Sequence, residues 1–229
     1  MYEKKLQFFT IAKKLNDEHK EKLQKKKAHF RGNLGSYSLV SLDANTPELG
    51  VSGFKKSVDI KAAFKELDKE LKKPGRPTPE KELQAEIIRA AYSNNNILPF
   101  GGEIRFLTSE LAWPEKNGEK IVNDILGINR NNDLVIIELK SKRLLTELCK
   151  QVNVFFKVIQ DPNNRGLFRE LVRLLSGKEW SGDVVKMIVC PCKKKLSAAR
   201  WSDKGIIEIC YQCESDGNTK FIEVGKCKS

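Results

Sequence analysis

The alternation of apolar and polar residues is clearest in the last two thirds of the chain. Thr78 followed by Pro79 indicates a helix start, because Thr is a good N-cap and Pro suits the first helical position. This helix is expected to run to about residue 92. The further predicted strands are 103–112, 121–129, 133–140, 184–190, 205–213 and 220–224, and the further predicted helices are 143–159, 166–175 and 195–204. Helices interspersed among strands in this order predict an α/β fold with helices packed on a sheet.

The first third of the chain has a different pattern. Residues 2–30 show an imperfect helical stripe formed by Leu6, Phe9, Ile11, Leu15 and Leu23. A short strand is predicted within 36–42, and helical periodicity returns at 55–72. The following PGRPTP is a strong breaker of secondary structure. We therefore expect a mainly helical N-terminal region at 1–77 and a main domain at 78–229.

The N-terminal region also carries most of the excess positive charge. The 229-residue chain has a net charge of +12 and a pI near 9.4. Residues 1–77 hold 18 Lys and Arg against 10 Asp and Glu, a net of +8. Such an excess favours a polyanionic partner, most often nucleic acid. The region is therefore interpreted as a phosphate-contacting arm, a solvated charge run, a dimerisation helix or a segment packed on the core.

Three charged residues interrupt the apolar pattern of NDILGINRNNDLVIIELK, residues 123–140. A hairpin centred on Asn131 places Asp124 opposite Glu138. Because side chains alternate along a strand, Glu138 and Lys140 lie on one face. Asp124, Glu138 and Lys140 are therefore expected to converge. Asp133 lies beside the turn and cannot face Glu138, so it is interpreted as a turn residue.

Two carboxylates that face each other repel, and one becomes protonated unless a cation lies between them. Mg²⁺ is suited to this position, because it binds carboxylate and carbonyl oxygens and keeps several waters. The predicted ligands are Asp124, Glu138 and the carbonyl of Leu139. The Lys140 ammonium is expected to point toward a metal-bound water or a phosphate. These groups fit the hydrolysis of a phosphodiester bond.

The pattern resembles the PD-(D/E)XK nuclease superfamily over about residues 78–213. The resemblance rests on Asp124, thirteen intervening residues, and Glu138-Leu139-Lys140 at the end of an apolar strand. Asn123 stands where the family often has Pro. The resemblance implies a restriction-endonuclease-like core, with a mixed central sheet flanked by helices.

Two further helices take part in the resemblance. Gln151 and Phe155 are similar to the Q-x-x-x-Y element of RecB-like members, with Phe in place of Tyr. The helix before the strands supplies a candidate acid, and Glu86 is preferred to Glu82 because its neighbours are apolar. The alternative for Glu86 is an exposed ion pair with Arg89. The resemblance implies that Glu86 and Gln151 support catalysis.

The function expected from these residues is a metal-dependent DNA endonuclease of restriction or repair type, with Mg²⁺ as cofactor and Mn²⁺ as its substitute. DNA is the expected partner, and a homodimer is expected because duplex cutters commonly pair their active sites. One alternative is a DNA-binding or assembly module on a nuclease fold with little or no cleavage. Another is a nuclease directed at RNA or single strands.

The six cysteines have two interpretations. Cys190, Cys192, Cys210 and Cys213 stand in CPC and CYQC, which could together hold zinc. Because Cys190 and Cys210 end β-like apolar runs, buried free thiols are the preferred interpretation. The chain has no apolar run near the length of about 20 residues that spans a bilayer, and its first residues lack a secretory pattern. We therefore expect a cytoplasmic protein without a membrane partner, in which disulfides are not expected.

Overall fold

A computed structural model describes residues 3–25, 28–30, 40–42, 61, 65, 78–114, 120–192, 205–214 and 219–224. The helix predicted at 195–204 lies outside the described residues, as does nearly all of the helix predicted at 55–72. Within the described part, no helix is long and apolar enough to span a membrane.

The helices and strands of the main domain follow the predicted order closely, whereas the end of the stretch predicted as helical at 2–30 forms a short strand, Ala28–Phe30. In the N-terminal region they are α1 (Glu3–Glu18), α2 (Lys20–Lys25), β1 (Ala28–Phe30) and β2 (Val40–Leu42). In the main domain they are α3 (Pro79–Ser93), β3 (Arg105–Pro114), β4 (Lys120–Ile128), β5 (Leu134–Leu139), α4 (Leu145–Gln160), α5 (Pro162–Ser176), β6 (Val184–Pro191), β7 (Ile206–Cys213) and β8 (Thr219–Glu223). The Thr78 hydroxyl caps α3 by accepting a hydrogen bond from the Lys81 N–H.

Strands β3 to β8 form one six-stranded sheet in chain order. Neighbouring strands are antiparallel, except that β5, β6 and β7 run parallel to one another. The parallel step from β5 to β6 requires a long crossover, which α4 and α5 supply. The prediction of an α/β fold is confirmed, and the sheet is mixed and flanked by helices as the resemblance implied.

The sheet carries a hydrophobic core on each face. Leu134 and Ile136 of β5 belong to the core that α1, α4 and α5 cover, whereas Val135 and Ile137 belong to the core under α3. Every residue of β5 is buried, including Glu138. A strand covered on both faces reads as a continuous apolar run, so a charged residue within it needs a specific explanation.

Helix α1 contributes to the core of the main domain. It packs against α5, and Phe9 is only 1% exposed in the same cluster as Phe168. Core packing, one of the four interpretations of the N-terminal region, therefore describes α1. The boundary at residue 77 and a DNA-contacting or dimerising role for the rest of 1–77 remain predictions.

The β4–β5 hairpin has the predicted register. Ile125 lies opposite Ile137, and Gly127 lies opposite Val135. Continued by one residue beyond Ile125, this register places Asp124 opposite Glu138. At the turn, the Asp133 carboxylate accepts hydrogen bonds from Asn129 Nδ2 at 2.9 Å and from the Ser181 hydroxyl at 2.8 Å. The interpretation of Asp133 as a turn residue is confirmed.

The cysteines require one correction. Cys192 and Cys210 are joined by a disulfide, which was not expected from a cytoplasmic setting. The Cys192 N–H donates to the carbonyl of Tyr211 on β7, which brings Cys192 beside Cys210. Cys149 and Cys190 are buried and outside any disulfide, as preferred for Cys190, and Cys213 is exposed and outside any disulfide. The same preference for Cys210 was wrong. The disulfide joins Cys192 and Cys210, which are two of the four cysteines of the alternative zinc site.

Candidate functional site

The main-chain pairing of β4 with β5 ends at Ile125 and Ile137, and polar side chains continue it. The Leu139 N–H donates to Asp124 Oδ2 at 2.7 Å. Asn123 Nδ2 donates to the carbonyl of Ile137 and to Glu138 Oε1, both at 3.1 Å. Asn123 and Asp124 thus replace ladder bonds with side-chain bonds, which brings their polar groups between the two strand ends.

Strand β4 also changes the direction of its side chains near Asp124. In a regular strand Ile121 and Ile125 would lie on one face. Ile121 instead packs against the core under α4, whereas Ile125 lies in the core under α3. On β3, Ser109 pairs with Ile125 and Leu111 pairs with Asn123, so Glu110 lies opposite Asp124. The backbone of Glu110 is left-handed, with a φ of 52°. The irregularity therefore falls at the carboxylate that reaches across to β5.

The structure brings Asp124 and Glu138 together as a carboxyl pair. Burial raises the pKa of Asp124 to about 7, although the Leu139 N–H lowers it, and the nearby Glu110 carboxylate raises it further. Burial also holds the pKa of Glu138, which is 2% exposed, well above its usual range, and the charge and hydrogen bond of Asp124 add to this. The pair therefore retains a proton near neutral pH unless a cation compensates its charge.

Lys140 lies beside this pair as a partly buried cation. Its Nζ is 3.2 Å from Glu80 Oε1 and 3.8 Å from Glu147 Oε1. Burial lowers the pKa of Lys140, but the hydrogen bond and charge of Glu80 and the charges of Asp124 and Glu147 together leave the pKa raised. Lys140 is therefore an ammonium ion at neutral pH, suited to binding an anion or orienting a water.

Helix α3 contributes Glu80 and Gln84 to the site. Gln84 Nε2 donates to Glu110 Oε1 and to the main-chain carbonyl of Asp124, both at 2.9 Å. Glu80 and Gln84 are four residues apart, so they lie on one face of the helix. Glu86, the predicted helix acid, is half-buried and its charge acts on Tyr211. Its catalytic role stays a prediction, while Glu80 is the helix acid bonded to Lys140.

Helix α4 carries the two residues of the predicted Q-x-x-x-Y-like element. Gln151 lies one turn after Glu147, and its Oε1 is buried without a hydrogen-bond partner. Asn123 Oδ1 is in the same state. Phe155 is fully buried and meets Phe168 edge to face, so it belongs to the core. A buried acceptor oxygen without a donor is commonly satisfied by a water or an ion.

The donor set fits a hard divalent cation. The described residues contain no group of three or more His, Cys, Asp or Glu side chains set to hold a metal. Two facing carboxylates are nevertheless sufficient for Mg²⁺, which is commonly bound by one or two carboxylates and keeps several waters. Mg²⁺ as the cofactor and the carbonyl of Leu139 as a third ligand both stay predictions.

A second buried glutamate provides an internal reference for this site. Glu208 on β7 is 2% exposed, as Glu138 is. Its Oε1 lies 2.5 Å from Arg143 Nη2, and Arg143 Nη1 donates to the carbonyl of Pro191 at 3.1 Å. The charge of Glu208 is therefore compensated within the protein.

Comparison with known proteins identifies distant similarity to solved structures. No protein-family model matches the sequence, and no curated protein matches it significantly. Among solved structures, the chain is similar to the crystal structure of a repair endonuclease from Pyrococcus abyssi, with a TM-score of 0.30 and 17% sequence identity. The alignment covers 55% of this chain and 44% of that chain, which is less than half of its length.

Proposed function

We propose that this protein is a metal-dependent nuclease that hydrolyses phosphodiester bonds, with DNA as its substrate. The observation that carries the proposal is the buried pair of Asp124 and Glu138, with Lys140 beside it. A buried carboxyl pair with raised pKa values is costly to keep charged and attracts a divalent cation. A neighbouring ammonium then provides a second positive group for a phosphate.

Each residue has a distinct role in this proposal. Asp124, Glu138 and the carbonyl of Leu139 hold Mg²⁺, for which Mn²⁺ substitutes. When bound, the ion lowers the pKa of a coordinated water and neutralises charge on the phosphate. Lys140 binds the phosphate or orients the water. Its raised pKa favours this role over that of a general base.

Residues on the two flanking helices support these groups. Glu80 fixes the ammonium of Lys140 through its hydrogen bond at 3.2 Å. Gln151 offers its unpartnered Oε1 to a water or to the substrate. Glu86 remains a further candidate on α3, and comparing Glu80→Gln with Glu86→Gln separates the two. We expect the larger loss of cleavage in Glu80→Gln, because only Glu80 bonds to Lys140 among these two acids.

DNA is proposed as the substrate because the chain carries a net charge of +12. A homodimer that cuts both strands is part of the same proposal. One observation favours the alternative of a DNA-binding module with little cleavage: Lys140 is engaged by both Glu80 and Glu147. If these ion pairs persist with DNA bound, the ammonium does not reach a phosphate.

Cleavage assays distinguish these functions. Plasmid, linear duplex, single-stranded DNA and RNA are incubated with the protein in Mg²⁺, in Mn²⁺ and in a chelator. We expect metal-dependent cleavage of DNA that falls by about 10³-fold or more in Asp124→Asn, Glu138→Gln and Lys140→Gln. Glu82→Gln, on the exposed side of α3, is the matched control and should cleave normally.

Each contrary result has a definite meaning. DNA binding without cleavage would favour the binding module. Preferential cleavage of RNA would mean that RNA, and not DNA, is the substrate. Full cleavage by Asp124→Asn or Glu138→Gln would refute the proposed site.

A further inference from the structure

Gln84 makes an unusual pair of contacts for a residue on a core-facing helix. It is 9% exposed, and its Nε2 donates at 2.9 Å both to the Glu110 carboxylate and to the main-chain carbonyl of Asp124. One amide thus ties α3 to β3 and β4 together. The bond to Asp124 holds the main chain and leaves the carboxylate for other contacts.

Glu110, which accepts one of these hydrogen bonds, has a left-handed backbone conformation. Five non-glycine residues of the described chain have a positive φ: Asn95, Asn96, Glu103, Glu110 and Asn132. Among these five, Glu110 is the one that lies inside a strand. Left-handed conformations are unfavourable for Glu, and such strain persists only where surrounding contacts enforce it. One contact at Glu110 is the hydrogen bond from Gln84.

The strained position coincides with the change of side-chain direction in β4. Glu110 lies opposite Asp124, between the register pairs Ser109–Ile125 and Leu111–Asn123. At that same step the Asp124 carboxylate leaves the regular alternation and accepts from the Leu139 N–H. Relaxing Glu110 to an ordinary strand conformation would change the path of the neighbouring strand at Asp124.

We propose that Gln84 and Glu110 are positioning residues that hold Asp124 in place to share a cation with Glu138. The inference rests on the proposed function, because it treats Asp124 as a metal ligand. Gln84 anchors the main chain of Asp124, and Glu110 maintains the irregular step. The competing interpretation is that the two side chains only satisfy each other's hydrogen bonds.

The test separates positioning from general stability. The variants are Gln84→Met, which keeps length without polar atoms, and Glu110→Gly, which relieves the left-handed strain. Glu103→Gly is the matched control, since Glu103 has the same φ of 52° but is exposed outside the site. Hydrogen exchange of the Leu139 amide reports on its bond to Asp124, and the Val135 amide serves as an internal reference on the same strand.

If Glu110 is a positioning residue, Glu110→Gly should keep or gain thermal stability and still loosen the contact between Asp124 and Leu139. Its melting temperature should stay level or rise, while Leu139 exchanges about tenfold faster and Val135 is unchanged. Mg²⁺ affinity should fall by about tenfold or more in Glu110→Gly and in Gln84→Met. In Glu103→Gly, Leu139 exchange and Mg²⁺ affinity should keep their wild-type values. Its melting temperature should stay level or rise, as in Glu110→Gly.

Other outcomes decide against the proposal or against the nuclease. Wild-type Leu139 exchange and Mg²⁺ affinity in Glu110→Gly would overturn the positioning role, even if Gln84→Met unfolds. A Glu103→Gly variant that weakens Mg²⁺ binding equally would also overturn it. Faster Leu139 exchange in a protein whose wild type binds no Mg²⁺ would support positioning while overturning the proposed function.

Discussion

Two glutamates of the sheet are equally buried but have opposite surroundings. Glu138 on β5 and Glu208 on β7 are each 2% exposed. Glu208 meets the guanidinium of Arg143 at 2.5 Å, whereas Glu138 meets the carboxyl of Asp124. The first site is complete without any further group. The second lacks a positive charge at its centre, which is the property expected of a site that binds a cation.

The comparison shows why burial alone does not indicate function. Glu208 and Arg143 compensate each other, and a buried ion pair of this kind is a structural feature that is costly to break. At Glu138 the protein places like charges together and adds two hydrogen-bond donors, the Asn123 amide and the Leu139 N–H. The charge of Lys140 lowers the pKa values of both carboxyls, but less than burial raises them. Retaining such an arrangement is costly unless a proton or a metal completes it.

The largest expected difference between the two sites is in stability after removal of a single charge. Arg143→Met leaves Glu208 buried without its partner and should lower the free energy of unfolding by about 3–5 kcal/mol. Glu138→Gln removes a repulsion and should raise it at pH 8 in a chelator. Urea unfolding of both variants measures this contrast. The comparison fails if Glu138→Gln is destabilised as strongly as Arg143→Met.

The pH dependence of stability gives the next largest effect. Because folding raises the pKa of Asp124 from 3.8 to about 7, the folded state holds an extra proton between these values. Stability of the metal-free protein should therefore fall as pH rises through this window. Asp124 should contribute about 2 kcal/mol of the loss between pH 5.5 and 7, and Asp124→Asn should remove that part and leave the contribution of Glu138. Urea titrations across this range in a chelator would contradict the assignment if both proteins showed the same slope.

Lys140 should have the smallest effect on the metal-free protein. Its charge lowers the pKa values of Asp124 and Glu138, but less than burial raises them. Lys140→Gln should therefore shift the midpoint of the pH-dependent stability loss upward by about one unit or less. A downward shift, measured in the same urea titrations, would mean that Lys140 does not act on the carboxyl pair.

The central hairpin was predictable from sequence because its information is local. Strand alternation and the asparagine-rich turn fix the register, and the register alone brings Asp124 opposite Glu138. The turn role of Asp133 follows from the same reasoning. The N-cap at Thr78 is likewise a local signal that the structure confirms.

The surroundings of the pair depend on contacts between distant segments. Gln84 reaches Asp124 across forty residues, and Glu80 reaches Lys140 across sixty. Their spacing of four residues was a signal for a shared helix face, but nothing local indicated that this face meets the strand ends. A left-handed Glu110 within a strand carries no sequence signature, unlike Gly or Asn at a turn. The disulfide between Cys192 and Cys210 also depends on how β6 and β7 are paired.

The most direct test of the central claim is a calorimetric titration with Mg²⁺ at pH 8. The proteins compared are the wild type, Asp124→Asn, Glu138→Gln and Glu208→Gln, each checked for folding by circular dichroism. We predict that the wild type and Glu208→Gln bind Mg²⁺ alike, and that Asp124→Asn and Glu138→Gln lose detectable binding. Wild-type affinity in Asp124→Asn and Glu138→Gln would contradict a metal site at the carboxyl pair.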